Sequence, residues 1–219
     1  MFPLYDQSAR SQRPPYLTIF LILINVAIFL LTFFSPNFEE IIYQYGTVPD
    51  QILKGKNIST LLTSMFLHAG FLHLIGNMWF LWLFGDNVEV NLGFFRFLIF
   101  YLSVGILAGL VHVFSVSPLE SNIPTIGASG AISGLLGGYV VLFPRNKIRA
   151  FMMLYFRPIV FDVPAFFYVG IWFLYQLLYA GTPTSVAYMA HIGGFIAGMI
   201  LILILRRKVI VKHYRVRDK

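Results

Sequence analysis

Long apolar runs, broken by short polar segments, set the pattern of this chain. Apolar positions dominate Leu17–Phe34, Phe71 to about Gly85, Phe94–Ser115, Pro124–Phe143, Pro164–Ala180 and Val186–Leu205. A helix needs roughly 20 apolar residues to cross a bilayer, and each run reaches or approaches that length. The pattern predicts an all-α polytopic membrane protein, a single bundle of six transmembrane helices over residues 16–205. Residues 1–15 read as a polar, proline-containing tail and residues 206–219 as a basic one. Ser35-Pro36-Asn37 closes the first run, and Pro144-Arg145-Asn146-Lys147 stops the fourth. Between the first two runs, Ile58–Leu67 is too apolar for a solvated loop and reads as an amphipathic segment in the interface. Residues 148–163 read as a second interfacial stretch. Asp86-Asn87-Val88-Glu89 reads as a helix cap that also pins a turn after the second span.

Composition agrees with a bilayer environment. Of 219 residues, 58% are hydrophobic and 11% charged, against about a quarter charged in soluble domains. There is no cysteine, which excludes disulfides, thiolate chemistry and cysteine-based metal sites. The net charge of +7 does not point to nucleic acid, because the basic residues gather beside the apolar runs. With six spans both termini share one side. Every Lys and Arg except Lys54 and Lys56 then falls on that side, which marks it as cytoplasmic. The first run follows Arg10 and Arg13 and lacks a small-residue cleavage site, so it reads as an uncleaved span rather than a signal peptide.

This topology gathers polar residues in one layer. Spans two, four and six run in the same direction, so residues near their starts lie at similar depth, close to the outer surface. His73 and Asn77 lie early in span two, Ser129 early in span four and His191 early in span six. Ionisable side chains within spans are costly and mark functional sites. An imidazole can take a serine proton and return it to a leaving amine. Ser129 is therefore the candidate nucleophile and His191 its general base. Gly130, Gly134 and Gly138 form one small-residue stripe, and Gly194 and Gly198 another. Such stripes serve plain packing, and here they would also bring hydroxyl to imidazole. His73 and Asn77, at i and i+4, share a helix face. Both can donate to an oxyanion together with the Ser129 backbone N–H. Asp86, Glu89 and Asp162 fall at the cytoplasmic side, so no carboxylate completes a triad and the arrangement is a dyad. His68 and His112 read as structural, and a metal site built on His68, His73 and His191 lacks further ligands.

These residues resemble the rhomboid intramembrane serine proteases. The resemblance is carried by Phe66-Leu67-His68-Ala69-Gly70, by His73 with Asn77, by Gly85-Asp86-Asn87-Val88-Glu89, by Gly127-Ala128-Ser129-Gly130 and by Ala190-His191-Ile192-Gly193-Gly194. It spans roughly residues 15–205. It implies a basic six-span bundle with a water-filled cavity open to the outside, Ser129 and His191 as the dyad, and His73, Asn77 and the Ser129 amide at the oxyanion. It implies no cofactor and, as partners, single-span membrane proteins cut in or near their span. The small size and the absent presequence lead us to expect a bacterial plasma membrane. Two departures stand out. Some members carry Trp-Arg in the first outer loop, where this chain has Ser59-Thr60. Some also place a tyrosine four residues after the nucleophile, stacked on the histidine, where this chain has Ser133. The competing expectation is a non-catalytic rhomboid-like protein that binds transmembrane clients. Such relatives usually lack the serine or the histidine, and this chain keeps both. A transporter would call for paired broken helices or an inverted repeat, and neither is visible.

Overall fold

The structure, a computed structural model, describes residues 1–7, 14–182 and 186–206. In chain order its elements are β1 (Phe2–Asp6), α1 (Tyr16–Phe33), α2 (Phe38–Tyr45), α3 (Pro49–Leu53), α4 (Thr60–Thr63), α5 (Phe71–Leu92), α6 (Phe94–Ser115), α7 (Ser129–Leu142), β2 (Lys147–Leu154), β3 (Arg157–Pro164), α8 (Ala165–Tyr179) and α9 (Tyr188–Leu205). The basic segment after Arg206 lies outside the described residues, as do Arg10 and Arg13.

Six apolar helices, α1 and α5 to α9, occupy the six apolar runs. Three of them, α1, α6 and α9, are long and apolar enough to cross a membrane by length and composition. A fourth span would join Thr60–Phe66 to α5 across a 96° bend. α7 and α8 have 14 and 15 residues. At 1.5 Å per residue, α7 covers only about 21 Å of a hydrocarbon core roughly 30 Å thick. It is short because Pro124–Ala128, the start of its apolar run, is not helical. Irregular backbone at membrane depth is tolerated where protein covers it.

α7 is the central helix. Every residue from Gly130 to Tyr139 is buried, the all-round pattern of a helix enclosed on every side. α9 lies against it at backbone contact. A Cβ at Gly194 would strike the Gly130 carbonyl, and one at Gly198 would strike the Gly134 carbonyl and sit 2.6 Å from the Gly134 Cα.

Two sequence expectations are corrected. The chain is not purely helical: residues 147–164 form a hairpin, and β1 adds to it antiparallel in the order β1-β2-β3. The hairpin evaded the pattern because Ala150–Leu154 and Ile159–Phe161 are apolar on both faces, without the two-residue alternation of a half-buried strand. Its two-residue turn holds Tyr155 and Phe156 at φ 46° and 64°. Asn-Gly usually fills such positions. Ile58–Leu67, expected as an amphipathic interfacial segment, is not one continuous helix. It folds as α4 and a 3-10 turn with Leu61, Met65 and Leu67 buried, and Met65 packs against Gly105 of α6. Nor does Asp86–Glu89 end a helix, since α5 runs on to Leu92 and stops at Gly93 with φ 79°.

Glu89 instead caps a different helix. The first four N–H groups of a helix lack intrahelical acceptors. In α1, Tyr16 donates to the Pro14 carbonyl and Ile19 to that of Pro15. Leu17 N–H and Thr18 N–H donate to the two Glu89 oxygens at 2.9 and 2.7 Å, and the Thr18 hydroxyl adds a bond at 2.8 Å. The negative charge also suits the positive end of the helix dipole. Nearby, Asp6 Oδ2 accepts from Asn87 Nδ2 and from the Tyr139 hydroxyl, each at 2.8 Å, which ties β1 to α5 and α7. Glu89→Ala strands buried donors and is expected to destabilise the protein by about 2–4 kcal/mol. Glu89→Gln, which keeps an acceptor, should lose less. Thermal unfolding in detergent, read by circular dichroism, checks the order.

Candidate functional site

The irregular strand before α7 is strapped on both sides. Thr47 and Thr125 exchange backbone hydrogen bonds at 3.0 and 2.8 Å, and Gly127 N–H donates to the Ser64 carbonyl at 2.8 Å. The Thr47 hydroxyl bonds the Thr60 carbonyl and Ser64 Oγ, both at 2.9 Å. Thr125 Oγ1 meets His112 Nε2 at 2.8 Å, which gives His112 a structural partner. Gly127 has φ +118°, and a Cβ there would lie 2.6 Å from His73 Nε2 and 3.7 Å from Asn77 Nδ2. Glycine thus meets two demands at this position, an unusual backbone conformation and the close approach of α5.

Ser129 opens α7, so its N–H has no acceptor within the helix. Its Oγ lies 2.9 Å from His191 Nε2. The bond joins two helices and residues 62 positions apart. His73 and Asn77, on the first two turns of α5, flank the strand that leads into Ser129. Asn77 is buried, and its Nδ2 has no hydrogen-bond partner. His68 packs its ring edge-on to His73, with centroids 5.0 Å apart. All four residues singled out in the sequence, His73, Asn77, Ser129 and His191, therefore meet at one end of the bundle. Glu89 and Asp6 lie near the opposite ends of α5 and α7.

The sequence left open what holds His191 beside Ser133. Ser133 takes no part: its hydroxyl donates along its own helix to the Ser129 carbonyl at 2.7 Å. The imidazole is instead flanked by Trp172 of α8 and Tyr188 of α9, at centroid distances of 6.2 and 6.3 Å. Its Nδ1 meets Gln176 Oε1 of α8 at 2.8 Å. Sequence reasoning missed Gln176. The signal was there, for it is the lone amide in the apolar run Ala165–Tyr179, and polar residues in such runs seldom lack a partner.

The structure is thus an apolar helical bundle in which a serine and a histidine are hydrogen-bonded across two helices, α7 and α9. Residues 55–208 match the model of the rhomboid domain, and the chain belongs to the rhomboid family. It is 31% identical over 197 residues to Rhomboid protein 1, mitochondrial, of Saccharomyces cerevisiae, covering 86% of this chain and 53% of that protein. To the Rhomboid protease GluP of Bacillus subtilis it is 31% identical over 191 residues, 86% of this chain and 34% of that protein. To Rhomboid-related protein 2 of Mus musculus it is 28% identical over 203 residues, 89% of this chain and 65% of that protein. The chain thus spans between a third and two thirds of the length of these relatives.

The site depends on the α7–α9 approach, and that dependence is measurable. Gly198→Ala places a methyl against Gly134 backbone that cannot yield as a side chain would. It is expected to cost about 1–3 kcal/mol of stability. Gly170→Ala on α8, where a Cβ meets nothing within 4 Å, should leave stability unchanged or raise it by up to about 1 kcal/mol. Melting temperatures of both variants in one detergent make the comparison.

Proposed function

We propose that this rhomboid-family chain is an intramembrane serine endopeptidase that cleaves single-span membrane proteins in or near their spans. The observation that carries the reading is the 2.9 Å hydrogen bond between Ser129 Oγ and His191 Nε2. Ser129 Oγ attacks the scissile carbonyl carbon as His191 Nε2 takes its proton. The carbonyl oxygen becomes an oxyanion, for which the Ser129 N–H, the unpartnered Asn77 Nδ2 and His73 are the donors at hand. Collapse breaks the C–N bond, and His191 returns the proton to the leaving amine. A serine ester remains. Water then attacks the ester, giving its proton to His191, and the second tetrahedral intermediate releases the acid and restores the serine.

Six spans with both termini in the cytoplasm complete the proposal, the site opening to the outer face of a bacterial plasma membrane. The distribution of Lys and Arg supports that orientation. So does the grouping of His73, Ser129 and His191 at the starts of three helices that would run in one direction.

The purified chain in detergent should cleave single-span test proteins without added metal or nucleotide and react with a fluorophosphonate at Ser129. Ser129→Ala and His191→Ala should each reduce cleavage by at least about 10³-fold, with melting temperatures little changed. Cleavage surviving in either variant rules out the dyad. Absence of both cleavage and Ser129-dependent labelling in the wild type favours a client-binding rhomboid-like protein instead.

A further inference from the structure

Gln176 is the one buried residue in the second half of α8. The others that α8 buries, Ala165, Tyr168 and Val169, belong to its first two turns. An amide has two chemically different ends, and its surroundings fix which one faces the imidazole. Gln176 Nε2 lies 3.2 Å from the Trp172 carbonyl oxygen, which only accepts. The donor end of the amide is therefore committed there, and Oε1 is turned to His191 Nδ1 at 2.8 Å. The reverse orientation would set two oxygens against each other at the Trp172 carbonyl. An oxygen facing Nδ1 requires a proton on Nδ1. A neutral imidazole protonated at Nδ1 carries its lone pair on Nε2, and Nε2 is the atom 2.9 Å from Ser129 Oγ.

We infer that Gln176 is a positioning residue that holds His191 in the Nδ1–H tautomer, so that Nε2 is free to accept the Ser129 proton. The inference rests on the proposed role of the dyad and adds a third, uncharged member supplied by a different helix. It also accounts for a base held without a carboxylate behind it. The neutral amide fixes ring orientation and tautomer, as the buried aspartate does in triads, and brings no charge into an apolar span. Trp172, one turn earlier on the same helix, closes the flank of the imidazole and supplies the carbonyl that aims the amide.

The test compares wild type, Gln176→Leu and Gln176→Glu as full chains in one detergent. Leucine removes the acceptor and suits an apolar span. Glutamate keeps an acceptor of the same reach and suits the span badly. Rates of fluorophosphonate labelling at Ser129 are measured against probe concentration, to separate binding from the chemical step. For Gln176→Leu the maximal labelling rate should fall at least tenfold with half-saturation within about twofold, while Gln176→Glu keeps most of the rate. A packing role predicts the opposite order, with leucine tolerated and glutamate damaging. Labelling of Gln176→Leu at the wild-type rate, or faster than Gln176→Glu, overturns the inference. Nitrogen-15 spectra of the His191 ring give a readout independent of turnover. The wild type should show Nδ1 protonated and Nε2 bare, and Gln176→Leu a mixture of tautomers. Identical spectra overturn the inference whether or not the protein cleaves anything. A wild type without Ser129-dependent labelling counts against the proteolytic reading instead, and the spectra still decide the role of Gln176.

Discussion

Everything at the site rests on how closely α7 and α9 approach. The Ser129–His191 hydrogen bond spans two helix backbones, and two short side chains reach each other only when those backbones nearly touch. Gly194 and Gly198 lie against the carbonyls of Gly130 and Gly134. In lipid no hydrophobic gain draws helices together, so dispersion and backbone contact must hold them, and small residues permit both. The same requirement explains why α7 is enclosed all round. A helix bearing Gly130, Gly134, Gly137 and Gly138 offers little side chain of its own. Its neighbours fill the space: Val104 of α6 packs over Gly134, and Phe100 over Gly138.

The two ends of this bundle treat their polar groups differently. At the end away from Ser129, the carboxylates of Glu89 and Asp6 are spent on α1 donors, Asn87 and Tyr139. These groups brace helices. At the Ser129 end, the Asn77 amide nitrogen is buried without a protein partner. Buried polar groups in native proteins are nearly always satisfied, so an unpartnered amide beside Ser129 suits a place that receives a ligand. The strapped strand Pro124–Ala128 reinforces the contrast. Its hydrogen bonds to Thr47 and Ser64 fix the entry to α7 and leave the Ser129 N–H directed at no protein acceptor within its helix.

Much of this was legible in the sequence, and the failures have physical causes. The apolar runs located all six apolar helices, and a common direction expected for three of them was enough to group His73, Asn77, Ser129 and His191. Topology alone thus predicted a contact across 62 positions. The sheet was not legible, because a strand that is apolar on both faces carries no alternation and its third strand comes from the far N-terminus. Glu89 was assigned to its own helix, since capping rules look along the chain and cannot see that α1 starts beside it. Gln176 was passed over for a related reason. One amide in an apolar run announces that a partner exists without saying which, and only the fold brings its oxygen to His191.

An uncharged third member fits the setting of this pair. In a water-exposed triad a carboxylate stabilises the imidazolium formed during attack, and solvent offsets the cost of keeping it charged. Within an apolar helix such as α8 solvent does not offset that cost. Glutamine avoids it. Its nitrogen is held by a carbonyl of its own helix, its oxygen cannot be protonated, and the tautomer of His191 follows from its placement alone. In the proposed mechanism the imidazolium is stabilised less, and the orientation of His191 becomes a property of how α8 docks against α9.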